Sequence, residues 1–171
     1  MIEKTPALRS LFQQLTERGF GQSNLHDRDT IQYVANLLTD FVHVENMYRV
    51  RDKSGRRLEY IFEILAQAGS EMSPSVRRDC YKHLGDLTLF NLGLFPENLT
   101  YGRRTVSPDY YAETGRRSYT IVAEMDSATH STVVYRKLSD QFERCVVGLN
   151  WVKHYINDPF FQYMLREFNV T

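Results

Sequence analysis

Four of the five prolines in this chain follow a residue type that caps helix N-termini: Thr5-Pro6, Ser73-Pro74, Ser107-Pro108 and Asp158-Pro159. Proline in the first turn of a helix forfeits nothing, because the N–H it lacks has no intrahelical partner. The preceding hydroxyl or carboxylate can accept from N–H groups one turn further in. This placement predicts helix starts near residues 6, 74, 108 and 159. A fifth start falls near Asp27, with Asp29 in the first turn, where the helix dipole favours negative charge.

Between these starts the apolar residues recur at a period near 3.6 rather than 2. The first stripe is Leu8, Leu11, Phe12 and Leu15, stopping at Gly19. The second is Ile31, Val34, Leu38, Phe41 and Val42, and the third Leu58, Ile61, Phe62 and Leu65, ending near Gly69. Val76, Cys80, Leu84, Leu87 and Leu94 form the fourth. The cleanest stripe is Val134, Leu138, Phe142, Cys145, Leu149, Val152 and Ile156, and reads as one helix. A short terminal helix holds Phe160, Phe161, Met164, Leu165 and Phe168. No run alternates like a strand. Amphipathic helices must bury their stripes against one another. The fold expected is therefore all-α, a single domain over residues 1–171 built as a bundle of about seven helices. Residues 94–107, with Pro96 and Gly102, are expected to cross over irregularly, and residues 49–57 to form a polar connector or short hairpin.

Small residues have their own places in this pattern. Gly85 and Gly93 lie inside or at the end of the helix that starts at Pro74. A glycine there costs about 1 kcal/mol relative to alanine, and close helix approach is the compensation expected. The helix from Pro108 shows Tyr111, Gly115, Ser118, Val122 and Met125 on one face, which would admit a second helix or an arginine.

Charge narrows the function classes. The chain has 21 basic and 21 acidic residues, so it lacks the basic excess of a dedicated nucleic-acid binder. No apolar run is long enough to cross a membrane, and the first 20 residues read as a helix rather than a signal peptide. Cys80 and Cys145 are too few for a disulfide framework and fall on apolar stripes, as buried thiols of a cytoplasmic protein would. The basic residues are 16 Arg and 5 Lys, and residues 49–117 carry a net +3 between acidic ends. Four Arg-Arg doublets occur, at 56–57, 77–78, 103–104 and 116–117. Arg103, Arg104, Arg116 and Arg117 could grip a small anion bidentately beside Tyr110 or Tyr111. They could equally be solvated residues paired with neighbouring carboxylates.

Polar groups on apolar stripes offer a second candidate. Glu45 falls between Phe41 and Tyr48 if the second helix continues, and His83 lies amid Val76, Leu87 and Phe90 with Asp86 beside it. His83, Asp86 and Glu45 could hold a metal ion between two helices. A buried Glu–His pair or a hydrogen-bonded core histidine would fill the same positions. The paired Glu-x-x-His of di-metal bundles is absent, as are the short phosphate-binding, dinucleotide, zinc-protease and hydrolase motifs. No cofactor and no catalytic residue follow from the sequence.

The run Leu84-Gly85-Asp86, Leu89-Phe90 and Gly93-Leu94-Phe95-Pro96-Glu97, followed by Tyr110-Tyr111, Gly115 and Ser118-Tyr119, resembles a group of bacterial all-helical hypothetical proteins. The resemblance covers roughly a quarter of the chain. It implies a bacterial cytoplasmic protein and carries over no functional residue, because that group has no assigned activity. The expectation is a non-enzymatic interaction or regulatory module that self-associates as a homodimer through its aromatic C-terminal segment and small-residue helix face. A small anionic-ligand binder and a metal-dependent helical-bundle enzyme are the alternatives.

Overall fold

The helix starts expected at Asp27, Pro74 and Pro108 recur in the computed structural model, which describes residues 5–101, 103–127, 131–159 and 166, so that the helix expected from Pro159 lies outside the described residues. In chain order the helices are α1 (Thr5–Gln22), α2 (Arg28–Phe41), α3 (Val44–Met47), α4 (Ile61–Ser70), α5 (Pro74–Leu94), α6 (Pro108–Met125), α7 (Ser131–Asp140) and α8 (Phe142–Asn157). Asp27 caps α2 by accepting from the Thr30 N–H at 2.9 Å and the Thr30 hydroxyl at 2.7 Å. Ser73 and Ser107 depart from expectation, since neither hydroxyl caps its helix. The fixed φ of Pro74 and Pro108 sets those starts without them. The terminal aromatic segment Phe160, Phe161, Met164, Leu165 and Phe168 lies outside the described residues.

The all-α bundle is organised around α5, which packs against α4, α6 and α8, while α1 packs on α2 and α8 and α7 on α6. Every residue of α5 from His83 to Leu94 is buried. A helix surrounded on all sides has no solvent stripe, so its polar side chains must find partners inside the protein.

Three boundaries differ from the periodic reading. The second helix ends at Phe41, and His43 is extended, so Glu45 falls on the separate four-residue α3. Asp40 closes this break: its carbonyl and carboxylate accept from Asn46 Nδ2 at 3.0 and 2.9 Å, and its carboxylate pairs with Arg49. The long C-terminal stripe is divided at Gln141 into α7 and α8. Backbone bonds run through the division, Gln141 N to Lys137 O and Cys145 N to Gln141 O. The two halves bury the same stripe against different neighbours, α7 on α6 and α8 on α1 and α5. Finally, α1 does not stop at Gly19 but continues to Gln22.

The connectors carry the only pairing of extended chain among the described residues. Arg51 bridges Arg57 across a tight turn in which Gly55 has φ +83° and Asp52 accepts from the Ser54 and Arg56 N–H groups. Within the 94–107 crossover, a 3-10 turn at Pro96–Asn98 leads into two-residue strands β1 (Thr100–Tyr101) and β2 (Arg104–Thr105). Leu99 and Val106 flank this hairpin, bond each other through the backbone at 2.8 Å, and are buried.

Glycines mark the closest helix crossings. At the α1–α8 contact, a Cβ on Gly19 would lie 2.6 Å from the Gly148 carbonyl oxygen. A Cβ on Gly148 would lie 2.3 Å from the Phe20 ring. Gly85 faces the Tyr119 ring, and Gly115 faces Phe142 and Thr88. On the small-residue face of α6 the space at Gly115 is thus filled from within the chain. Gly19→Ala is expected to destabilise the protein despite alanine's better helix propensity, because the obstacle is backbone and overpacking costs about 1–3 kcal/mol. Gly21→Ala, on the same helix with nothing within 4 Å, is expected to be neutral or stabilising. Urea midpoints of the two variants check this, and equal midpoints would contradict it. No described helix is long and apolar enough to cross a membrane.

Candidate functional site

The buried polar side chains of α5 sort by what they bond. Asp86 Oδ1 accepts from the hydroxyls of Tyr33 on α2 at 2.6 Å and Tyr119 on α6 at 2.8 Å. Its Oδ2 accepts from Lys82 Nζ, one turn back on α5, at 2.7 Å. Tyr135 of α7 packs edge-on against Tyr33 at 5.5 Å and stacks with Tyr119 at 6.0 Å. Burial, and then the Asp86 charge, push both Tyr33 and Tyr119 well above the ordinary phenol range. Burial works against the Lys82 ammonium, but Asp86 outweighs it and holds the lysine above its ordinary value. Phenols this resistant to ionisation do not serve as bases near neutral pH. The network joins three helices, and its chemistry is cohesion.

His83 bonds the Met47 carbonyl through Nε2 at 2.9 Å. A carbonyl only accepts, so Nε2 carries the proton. Burial lowers the His83 pKa to about 4, against the opposing pull of Asp86 and the Met47 carbonyl. Glu45 is exposed on α3, away from the buried core that holds His83 and Asp86. The metal triad of His83, Asp86 and Glu45 is therefore not brought together, and no cluster of three or more His, Cys, Asp or Glu side chains suited to a metal occurs among the described residues. Cys80 and Cys145 are buried free thiols, and burial pushes Cys145 up to about 12. Neither is poised as a nucleophile.

The arginine–tyrosine set divides, although Arg116 and Arg117 share an open concavity with Glu113, Thr120, Ser139 and Asp140. Arg103 and Arg104 are exposed at the β1–β2 hairpin. Arg116 pairs with Glu143 of α8 at 3.2 Å. Arg117, the next residue, points about 100° away around the helix and has no carboxylate partner among the described residues. It lines a cleft of about 380 Å3 with Leu65 of α4, Tyr81 of α5, and Tyr110, Glu113, Thr114, Ser118 and Ile121 of α6. The apolar lining residues are half-buried, and Tyr110 stacks on Phe62 with centroids 5.1 Å apart. Thr114 and Ser118, one turn apart, are buried, and their hydroxyls bond no other described side chain. Tyr111 leaves this group: it is buried and lines a different cavity, with Leu87 and Asn91 of α5. In each of the other doublets one arginine is held within the fold, while Arg77 Nε is buried with no hydrogen-bond partner. Arg56 bridges Asp52 and Glu63, and Arg78 forms a two-pronged pair with Asp126 at 2.7 and 2.6 Å.

Sequence reasoning missed Tyr33, Tyr119 and Lys82 as the partners of Asp86, and Asn91 altogether. A carboxylate within the largely apolar run Leu84–Leu94 demands donors, which was the available signal. Fold and site define a helical bundle with a one-arginine amphipathic cleft. No protein family, curated protein or solved structure matches the chain.

Proposed function

We propose that this chain is a non-enzymatic helical binding module whose α4–α5–α6 cleft takes a small amphipathic monoanion. The observation that carries the reading is the juxtaposition of Arg117, lacking an ion-pair partner among the described residues, with a half-buried apolar lining. A guanidinium fork suits a carboxylate. Leu65, Ile121 and the Tyr81 and Tyr110 rings suit an apolar or aromatic body, with Thr114 and Ser118 available as hydrogen-bond donors. Glu113 at the same cleft disfavours polyanions, which argues against nucleotides and for a single negative charge.

The test is calorimetric titration with 3-phenylpropionate. Arg117→Gln is expected to weaken binding about tenfold, the scale of one lost charge-assisted contact. The Arg103→Gln, Arg104→Gln double variant is expected to bind as the parent does, because those side chains lie at the hairpin. Added salt should weaken binding, since Arg117 is exposed. Absence of binding at millimolar ligand, or binding unaffected by Arg117→Gln, would overturn the reading.

A further inference from the structure

Arg51 and Arg57 stand directly opposite each other as an antiparallel bridge. The backbone bonds flank this pair rather than join it: Asp52 N donates to Arg56 O and Leu58 N to Val50 O, each at 3.0 Å. In such a non-hydrogen-bonded pair the Cα atoms lie about 4.5 Å apart, and both side chains leave from one face. The residues of the other face fasten the turn to the bundle. Leu58 is buried, Val50 packs against the core, and Arg56 pairs with Asp52 and with Glu63 of α4. Alternation then puts Arg51 and Arg57 together on the outer face, where both are exposed. Like charges directly opposite are destabilising, so the turn holds an unfavourable pair in place.

No carboxylate among the described residues relieves it. Arg51 donates to the neutral Gly55 carbonyl at 2.9 Å, and the side chains of Arg57 and Lys53 bond no described residue. Asp52 is committed to the turn and to Arg56, and Asp40 to Arg49. Glu59, two residues past Arg57, forms an ion pair with none of these cations. Even with Glu59 counted, Arg51, Lys53 and Arg57 leave two positive charges without compensation. We infer that the opposed Arg51–Arg57 pair is an anion site that takes a phosphate monoester dianion. A carboxylate or a phosphodiester brings one negative charge and leaves one guanidinium unneutralised. A monoester carries about two negative charges near neutral pH, on three oxygens that can accept from both guanidinium forks at once. Both arginines are exposed, so the phosphoryl group alone is recognised. The site is separate from the Arg117 cleft, which takes a monoanion with an apolar body.

The experiment is an amide-resolved NMR titration of the full chain at about pH 7.5 and low salt with methyl phosphate, a dianion there. Dimethyl phosphate, with one charge fewer, is the comparison. Methyl phosphate is expected to shift the amides of residues 51–57 saturably at millimolar concentration, and dimethyl phosphate to bind about fivefold more weakly, the scale of one exposed ion pair. Arg51→Gln and Arg57→Gln should each weaken methyl phosphate by about the same factor. The Arg103→Gln, Arg104→Gln double variant removes two charges that are adjacent rather than opposed, and should leave the affinity unchanged. Arg57→Gln should leave the urea midpoint of the free protein unchanged or raised, because it removes a repulsion. A blocked tripeptide carrying phosphoserine identifies the source of the group: affinity equal to that of methyl phosphate assigns the site to free phosphate monoesters, and tighter binding assigns it to a phosphorylated chain. No saturable shift of these amides, equal affinity for the two phosphates, binding indifferent to Arg57→Gln, or a midpoint lowered by Arg57→Gln would each overturn the inference.

Discussion

Asp86→Ala is expected to cost about 3–5 kcal/mol of folding stability, the range for removing one partner of a buried ion pair. The carboxylate satisfies three donors from three positions in the bundle: Tyr33 on α2, Lys82 on α5 and Tyr119 on α6. Removing it leaves a partly buried ammonium and two phenols without their acceptor. Tyr119 is fully buried, so water cannot replace the lost bond unless the core opens. Asp86→Asn should cost less, about 1–3 kcal/mol, because the amide oxygen still accepts from both phenols and only the lysine loses its counter-charge. Tyr33→Phe and Tyr119→Phe should each cost about 1 kcal/mol, since Asp86 keeps its other donors. Urea unfolding with a constant slope measures all four. An Asp86→Ala variant within about 1 kcal/mol of the parent would show that the network adds nothing to cohesion.

The same residues show how far the sequence could be read. Proline and aspartate placed the starts of α2, α5 and α6, because those signals act within one turn. The division at Gln141 was invisible: neither Gly nor Pro marks it, and the apolar period passes through it. It exists because α7 and α8 serve different neighbours, which is tertiary information. The early end of α2 was hidden for a related reason, since Asn46 and Arg49 return to Asp40 only after the chain has turned. That break moved Glu45 to solvent and dissolved the metal reading. Polar side chains on an apolar stripe did point to His83 and Asp86. Their partners carry no such mark, because a tyrosine reads as part of an apolar face and a backbone carbonyl has no sequence signature. The arginine doublets were ambiguous by geometry: adjacent helical residues diverge, so Arg116 reaches Glu143 while only Arg117 of the two reaches the α4–α5–α6 cleft, although both border the concavity next to α7.

Acidification is expected to remove about 3 kcal/mol of stability between roughly pH 6.5 and pH 4 through His83 alone. Its folded pKa of about 4 lies below the ordinary histidine value of 6.5, with burial the largest cause. Through that window the unfolded chain takes up a proton that the folded chain refuses. Stability is therefore full above the window and falls as pH drops through it. Asp86 and the Met47 carbonyl favour the imidazolium, while Arg49 and Lys82 oppose it. Asp27, with a lowered pKa, and Asp52, held at about 2, lose their contributions only at lower pH, so the window belongs to the histidine. His83→Gln keeps an N–H for Met47 O and cannot be protonated, and should flatten the pH dependence from 4.5 to 6.5. Equal slopes for the parent and His83→Gln, or a folded-state ring titrating near 6.5 by NMR, would contradict the assignment. The bond itself should survive protonation, because Nε2 already donates to Met47 O in the neutral form and still donates in the charged one. The penalty is for burying charge, not for releasing α3. Acid should thus lower the urea midpoint of the whole bundle without changing the slope of the transition.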